Sequence, residues 1–492
     1  MPRHLFLDNE EIESYEGLRR KVNPPVQHDA NPLVKPDRPW ERGISHYGTV
    51  RFDEEQQLFR LWYFTNSGRN TPIQFRGRTV PGSTSMLCYA TSTDGIHWEK
   101  PNLGQVDFEG STENNIIAIG HGNVEGVAVV DEPDDPDPQR RYKALFWNQD
   151  GPFITQPDGA LMLGRDNNPE DGIWVSFSPD GIRWTDYEKN PVHCASDCSH
   201  YVVKDPSGEK YLAYGRWLGL KVGPEWQRRV AVMESRNFTE WSKGITVMEA
   251  DQFDEMPMPD TQIYGMTVDT YEGLYIGGVW MYHRGRDHTM DTQLAVSRDG
   301  THWARVGDND WHRRPMGRDP IPEDLDRQVW LSLGPEGSGY AGMIRPAANF
   351  ITRGDEIYIY IGLVEGRHSD LERKWRPPPT NMPNCLGLAI QRRDGFVSLD
   401  AGAHEGQVTT KPFTLPAADM HLNADASGGT VRAELLDPGG ERPSVLAESH
   451  PLQGDHLGAQ VNWQRAINSL AGRPVKLRLR GTQAKMYSYW FA

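Results

Sequence analysis

Cysteine is scarce in this chain, and that scarcity removes several classes of protein at once. Cys88, Cys194, Cys198 and Cys385 are the four cysteines among 492 residues, too few for a disulfide framework. The C-x3-C spacing of Cys194 and Cys198 hints at metal, but no second Cys/His pair at ligand spacing completes a zinc site. An apolar run of about 18 residues is also missing, so no membrane-spanning helix is expected. The opening stretch, MPRHLFLDNEEIESYEGLRRKV, carries acids where a secretory leader has an apolar core, and a cytoplasmic location is expected from it. Basic charge is in deficit as well: 52 Lys and Arg face 68 Asp and Glu, a net charge of −16. No surplus is left to neutralise phosphates, so neither nucleic acid nor an anionic membrane is an expected partner. The same balance favours a neutral or cationic small-molecule substrate.

Turn formers and bulky aromatics are abundant. Gly 49, Pro 36, Trp 16 and Tyr 18 suit short strands joined by punctuated turns. A short phrase recurs: Ser92-Thr-Asp94-Gly95-Ile-His-Trp98, Ser178-Pro-Asp180-Gly181-Ile-Arg-Trp184 and Ser297-Arg-Asp299-Gly300-Thr-His-Trp303. A degenerate copy, Ser235-Arg-Asn237-Phe-Thr-Glu-Trp241, lies between the second and third, and a worn one, Arg393-Asp394-Gly395-Phe396, closes the series. Asp supplies an acceptor for backbone N–H groups and Gly tolerates positive φ, so each phrase predicts a hairpin corner. Each follows a strand-like run (SMLCYAT, GIWVSFS, RRVAVME, DTQLAVS, LGLAIQR), and two more strands lie upstream of each run. The spacing, roughly 57 to 95 residues, is that of units carrying loop insertions. Five four-stranded units predict an all-β, five-bladed β-propeller over residues 1–402, with 1–38 as an N-terminal extension. Beyond Gly402, six or so short strands predict a small β-sandwich over 403–492, as a packing partner for the fifth blade or as a carbohydrate-binding module.

In a propeller the innermost strands line a central funnel, so polar residues near their starts are the candidates for chemistry. These are Glu41 and His46 in the first unit, His121 and Glu125 in the second, and Asp197 and His200 in the third. Asp260 and Gln262 follow in the fourth, and Arg345 in the fifth. Arg216, Trp280, His283 and Glu365 mark the ends of second strands, where Trp280 is offered as a sugar-stacking platform and Glu365 as a substitute acid. Cleavage of a glycosidic bond needs two carboxyl groups flanking it, one as acid and one as base or nucleophile. Crowded carboxylates separate those roles by shifting one another's pKa. Asp197 and Glu125 are the expected catalytic pair and Asp260 their modulator. The other residues named are expected around the substrate. A lyase acting on a uronide, favoured by an arginine-rich funnel, and a noncatalytic sugar-binding propeller are the alternatives.

The five-unit layout and the phrase TSTDGIHWEKP resemble proteins related to glycoside hydrolase families 32 and 43, in particular bacterial proteins with a family-32-N-terminal-like region. The tail segments RRDGFVSLDAG, TTKPFTL, VRAELLD and SLAGRPVKLRLR are similar to theirs too. The resemblance runs from about Asn31 to the C-terminus. It implies a five-bladed propeller and exo-acting, furanosidase-like hydrolysis of small saccharides or glycosides. In those families three carboxylates from the first three blades share the catalytic roles. Here the Asn-Asp-Pro-Asn-Gly and Glu-Cys motifs of family 32 are missing, so fructosidase activity is not implied and the roles do not transfer by motif. No cofactor is expected; since related propellers sometimes hold calcium, a central structural cation is left open. The sequence also leaves the oligomeric state open.

Overall fold

The computed structural model describes residues 2–68, 72–81, 85–149, 153–155, 161–163, 171–193, 200–216, 220–222, 225–251, 254, 260–307, 328–368, 382–416, 419–439 and 444–492. Over these residues the chain is all-β, built as multiple antiparallel sheets. Five of the sheets form in chain order, each from strands that follow one another in sequence. Sheet one holds Ser45–Asp53, Leu58–Thr65 and Met86–Ser92. Sheet two holds Val124–Asp131, Tyr142–Asn148, Gly172–Ser178 and Thr185–Asp186. Sheet three is Tyr201–Lys204, Tyr211–Gly215, Val230–Ser235 and Ile245–Met248. Sheet four is Thr261–Tyr271, Leu274–His283, Met290–Ser297 and Trp303–Arg305. Sheet five is Met343–Arg353, Glu356–Val364 and Cys385–Arg392.

The first strands of the five sheets touch one another in order, and the last returns to the first through a bridge between Ala348 and Thr49. The ring is stitched by short polar side chains. Thr49 Oγ1 donates to Val127 O at 3.3 Å and accepts from Val129 N at 3.1 Å, while Thr267 Oγ1 donates to Pro346 O at 2.8 Å. A buried hydroxyl that spans two strands satisfies backbone groups which neither sheet's own ladder reaches.

The Asp-Gly phrases form the corners expected of them. Oδ1 of Asp94, Asp180 and Asp299 each accepts two backbone N–H groups at 2.7–2.8 Å, and Asn237 makes the same pair of bonds at 2.9–3.0 Å. The corners also join neighbouring sheets, which the sequence does not reveal. The carbonyl of Gly95 accepts from Tyr360 of sheet five, that of Gly181 from Trp62 of sheet one, and that of Gly300 from Tyr214 of sheet three, at 2.7–2.9 Å. Gly300 has φ +76°, and a Cβ there would overlap Leu212 Cδ1 and sit 2.8 Å from the Tyr214 hydroxyl. Left-handed strain and overpacking together predict a loss of about 2–4 kcal/mol for Gly300→Ala, read by urea denaturation; a loss under about 1 kcal/mol would show that the corner yields.

The ends of the chain complete the architecture. The outer edge of sheet five is supplied from the N-terminus, where Val26–Gln27 pairs with Cys385–Arg392. Leu18–Val22 then pairs with Val397–Ala401, and Ile12–Glu16 with Gly406–Thr410. The N-terminal stretch, expected to be an extension, is therefore woven into sheet. Val397–Ala401, expected to end the propeller, already pairs with Ala484–Phe491. The long strand Met420–Leu436 organises the remainder, flanked by Pro474–Thr482, Ala484–Phe491 and Leu452–Gln460 around a core of Leu422, Leu435, Leu477 and Met486.

Acid should loosen this assembly. Burial alone would raise the Glu132 carboxyl, but Lys143, Lys204 and Tyr211 all donate to it and hold it down to about 2. Its folded pKa lies below the unfolded value of about 4.3. The stabilisation is therefore complete above that value and is lost as pH falls toward 2. The thermal midpoint should drop steeply below about pH 4.5, and more shallowly in Glu132→Gln; parallel curves would refute the assignment.

Candidate functional site

Four of the five inner strands carry a β-bulge, between Ser45 and Thr49, Glu125 and Ala128, Ile263 and Gly265, and Pro346 and Phe350. An extra residue bends a strand and re-aims its side chains, which is why bulges occur beside sites. Tyr47, Gly126, Tyr264 and Ala348 lie within these irregularities. They bring together an aromatic cluster from sheets one, three, four and five: Tyr47, Tyr201, Tyr264, Trp280 and Tyr282, with Met290 and Met343.

Arginines gather on this cluster. The Arg216 guanidinium lies 4.0 Å from the centre of the Tyr264 ring, Arg228 lies 5.4 Å from it, and Arg345 lies 5.8 Å from it. Arg345 is also 5.4 Å from the Trp280 ring and donates to Tyr47 OH at 3.4 Å. Arg228 donates to Gln262 Oε1 at 2.8 Å, Gln262 Nε2 donates to Asp260 at 2.8 Å, and Arg284 pairs with Asp260 at 3.0 Å. Two tyrosine hydroxyls meet imidazoles: Tyr264 with His368 Nε2 at 2.9 Å, and Tyr282 with His288 Nδ1 at 2.7 Å. The assembly brings together hydroxyl and imidazole groups suited to proton handling, guanidinium groups, and one partly exposed carboxylate, Asp260.

The residues expected from the sequence divide into three groups. Gln262, Arg216, Arg345 and Asp260 belong to this assembly. His200 is buried beside it and bonds Gly126 O at 3.2 Å, and Glu125 is partly buried opposite Trp147 in sheet two. His121 bonds Asn148 and packs edge-on against Trp174 at 4.6 Å. Asp197 lies outside the described residues, as do Cys194, Cys198 and the side chain of His46.

A third group is engaged in holding the fold. Glu41 is fully buried and accepts from Tyr63 OH at 2.6 Å, Lys100 Nζ at 2.7 Å and two backbone N–H groups. Its carboxylate is engaged as a structural anchor. Trp280 is 0% exposed, so its ring packs against Tyr47 and Tyr201 and offers no surface platform. Glu365 is buried and accepts from the N–H groups of Gly337, Gly339 and Ala341, which fixes that loop and corrects its reading as a substitute acid. His283 is buried and paired with Asp291 at 2.8 Å. Tyr264, Arg228, His288 and Asp291 were not singled out from the sequence. Tyr264 sits in a strand of mixed polar and apolar residues, Thr261–Tyr271, and nothing local singles it out. Among the described residues no group of three His, Cys, Asp or Glu side chains is placed to hold a metal ion.

No family model matches the chain, and no curated protein does. Its structural neighbours include glycoside hydrolases of the kind the sequence resembles, at low identity. A family 43 arabinoxylan arabinofuranohydrolase from Bacillus subtilis aligns at a TM-score of 0.41 with 10% identity, over 95% of this chain and 99% of its own. A fructofuranosidase from Schwanniomyces occidentalis aligns at 0.42 with 11% identity, again over 95% and 99%. An N-acetylgalactosamine deacetylase from F. plautii, in complex with blood group B trisaccharide, aligns at 0.42 with 12% identity, over 77% and 97%. Likeness of this degree assigns no activity.

Proposed function

We propose that the five sheets are the blades of a β-propeller, followed by a small C-terminal β-sandwich, and that the protein is a glycoside hydrolase acting at the hub. The reading takes the substrate to be a small saccharide or glycoside attacked from its end, with furanosidase-like chemistry. The observation that carries it is the convergence on the inner strands of aromatic rings, hydrogen-bonding groups and a carboxylate. Such a lining is what binding and cutting a polyol requires. Asp197 and Glu125 are the proposed acid and base or nucleophile. Asp260, held by Gln262 and Arg284, is the proposed group that orients a hydroxyl or tunes the pair. One carboxyl protonates the departing oxygen and the other attacks the anomeric carbon or activates water.

The test is release of p-nitrophenol from a panel of furanosides, pyranosides and uronides. Glu125→Gln should lower kcat by at least about a hundredfold with its thermal midpoint kept, the scale expected for loss of a general acid or base. Full turnover in Glu125→Gln and in Asp197→Asn would reject the assignment. A second reading, lyase-type elimination, is supported by the two tyrosine–imidazole pairs beside Arg228, since elimination needs a base and a cation rather than two carboxyls. An unsaturated product absorbing in the ultraviolet would mark it.

A further inference from the structure

We propose that Arg76 is a positioning residue for Glu125, holding the backbone segment that leads into the Glu125 strand. The inference rests on the reading of Glu125 as a catalytic carboxyl and adds the arm that aims it. Sheet one carries an inserted hairpin, Pro72–Phe75 paired with Arg78–Pro81, whose two-residue turn is Arg76-Gly77. Arg76 has φ +47° and Gly77 φ +78°, the left-handed pair of a type I′ turn. Asn, Asp or Gly is favoured at the first of these positions, and a long side chain is disfavoured there. An arginine kept in a strained conformation points to a task for its side chain.

The guanidinium reaches out of its own sheet to three acceptors at once. Nη1 pairs with Asp186 Oδ2 at 2.5 Å, and Nη2 donates to the carbonyls of Ala118 at 2.7 Å and Trp184 at 2.8 Å. Asp186 lies in the edge strand of sheet two, and Ala118 in the segment that runs toward Glu125. Asp186 Oδ1 accepts from Gly120 N at 3.3 Å in the same segment. Phe75, next to Arg76, lies against Gly122, where a Cβ would come within 2.8 Å of the ring. Ser85, on the chain returning from the hairpin, donates its N–H to Asn123 Oδ1 at 3.1 Å and accepts from Val124 N at 3.0 Å. Contacts from one insertion thus follow the backbone from Ala118 to Val124, the residue before Glu125. The segment needs them, because Gly120 and Gly122 sit at φ +55° and +84° and stiffen nothing by themselves. The ladder of sheet two holds Glu125 opposite Trp147, then breaks until Ala128. Outside contacts therefore help to fix the direction in which the Glu125 side chain leaves the strand.

The experiment compares the full chain with its Arg76→Asn and Arg76→Lys variants by hydrogen–deuterium exchange and by turnover of the best p-nitrophenyl glycoside. Asparagine suits the turn better than arginine, so Arg76→Asn should keep the thermal midpoint. A role in the turn alone predicts no change in exchange or turnover. Arg76→Asn should instead speed exchange of the Gly120–Val124 amides at least about tenfold, as local opening becomes easier. It should lower kcat at least about tenfold and leave KM within about twofold, because a displaced reacting group loses rate and not binding. Arg76→Lys, with one nitrogen for three acceptors, should fall between the two. Unchanged exchange in Arg76→Asn would overturn the proposal. So would an unchanged kcat in Arg76→Asn when Glu125→Gln is inactive, and in that case the assignment of Glu125 stands. If Glu125→Gln keeps full turnover, or no glycoside is cleaved, the assignment of Glu125 falls and exchange alone decides whether Arg76 holds the segment.

Discussion

Replacing Glu41 by alanine is expected to cost about 3–5 kcal/mol of folding stability, the scale for breaking a buried ion pair. The side chain of Glu41 is 0% exposed and that of Lys100 is 5% exposed, so water cannot take over the lost partner. Lys100 would keep Asp37 and the carbonyl of Lys35, but the Tyr63 hydroxyl and the N–H groups of Asp37 and Arg38 would lose an acceptor. Burial pushes the phenol of Tyr63 and the thiol of Cys88 well above their ordinary values, and the Glu41 charge adds to both. These shifts mark a dry site, where an unpaired donor is costly. Glu41→Gln keeps the shape and should cost less than Glu41→Ala. Urea denaturation checks the order, and a Glu41→Ala protein as stable as the wild type but inactive would return Glu41 to the substrate.

Asp394→Ala should be comparably severe, about 3–5 kcal/mol. This carboxylate is fully buried and accepts from Arg3 at 2.6 Å, Tyr271 OH at 2.6 Å, Ser488 Oγ at 2.5 Å and Asn423 Nδ2 at 3.4 Å. The four donors come from the N-terminal stretch, sheet four and two strands of the C-terminal sheet, so one group ties three parts of the chain together. Burial, with Asp394 next, raises the Tyr271 phenol far above its usual range, so Tyr271 remains a donor throughout the accessible pH range. Ser488→Ala removes one hydrogen bond and should cost only about 1 kcal/mol. Equal losses in the two variants would mean that Asp394 is not the hub of this junction.

The two anchors differ in how far the sequence announces them. Asp394 belongs to the worn fifth copy of the repeated phrase, and its departure from the pattern is visible in the letters. In the intact copies the Asp folds back on its own turn, whereas Asp394 reaches outward to Arg3, Tyr271 and Ser488. The phrase predicts a corner; it does not reveal that the corner has been recruited as a joint. Glu41 shows the opposite failure. It stands at the head of an inner strand, as a funnel acid should, yet Lys100 arrives from 59 residues away and takes it out of play. The burial of Trp280 and the loop bonds of Glu365 are hidden for the same reason, because burial and the path of a distant loop leave no mark on a short stretch of sequence.

The sequence by itself determined the all-β class, the five repeated units with Asp-Gly corners in three of them, and the surplus of acid. Those are local properties: turn chemistry, the two-residue period of strands and composition act within a few residues of one another. Tertiary structure alone decided that Gly95, Gly181 and Gly300 accept hydrogen bonds from the sheet before them, and that the N-terminal stretch completes sheet five. It also decided that Arg216, Arg228 and Arg345 meet over Tyr264. These contacts join residues tens to hundreds of positions apart, and their energies depend on burial and approach, which exist only once the inner strands have closed into a ring.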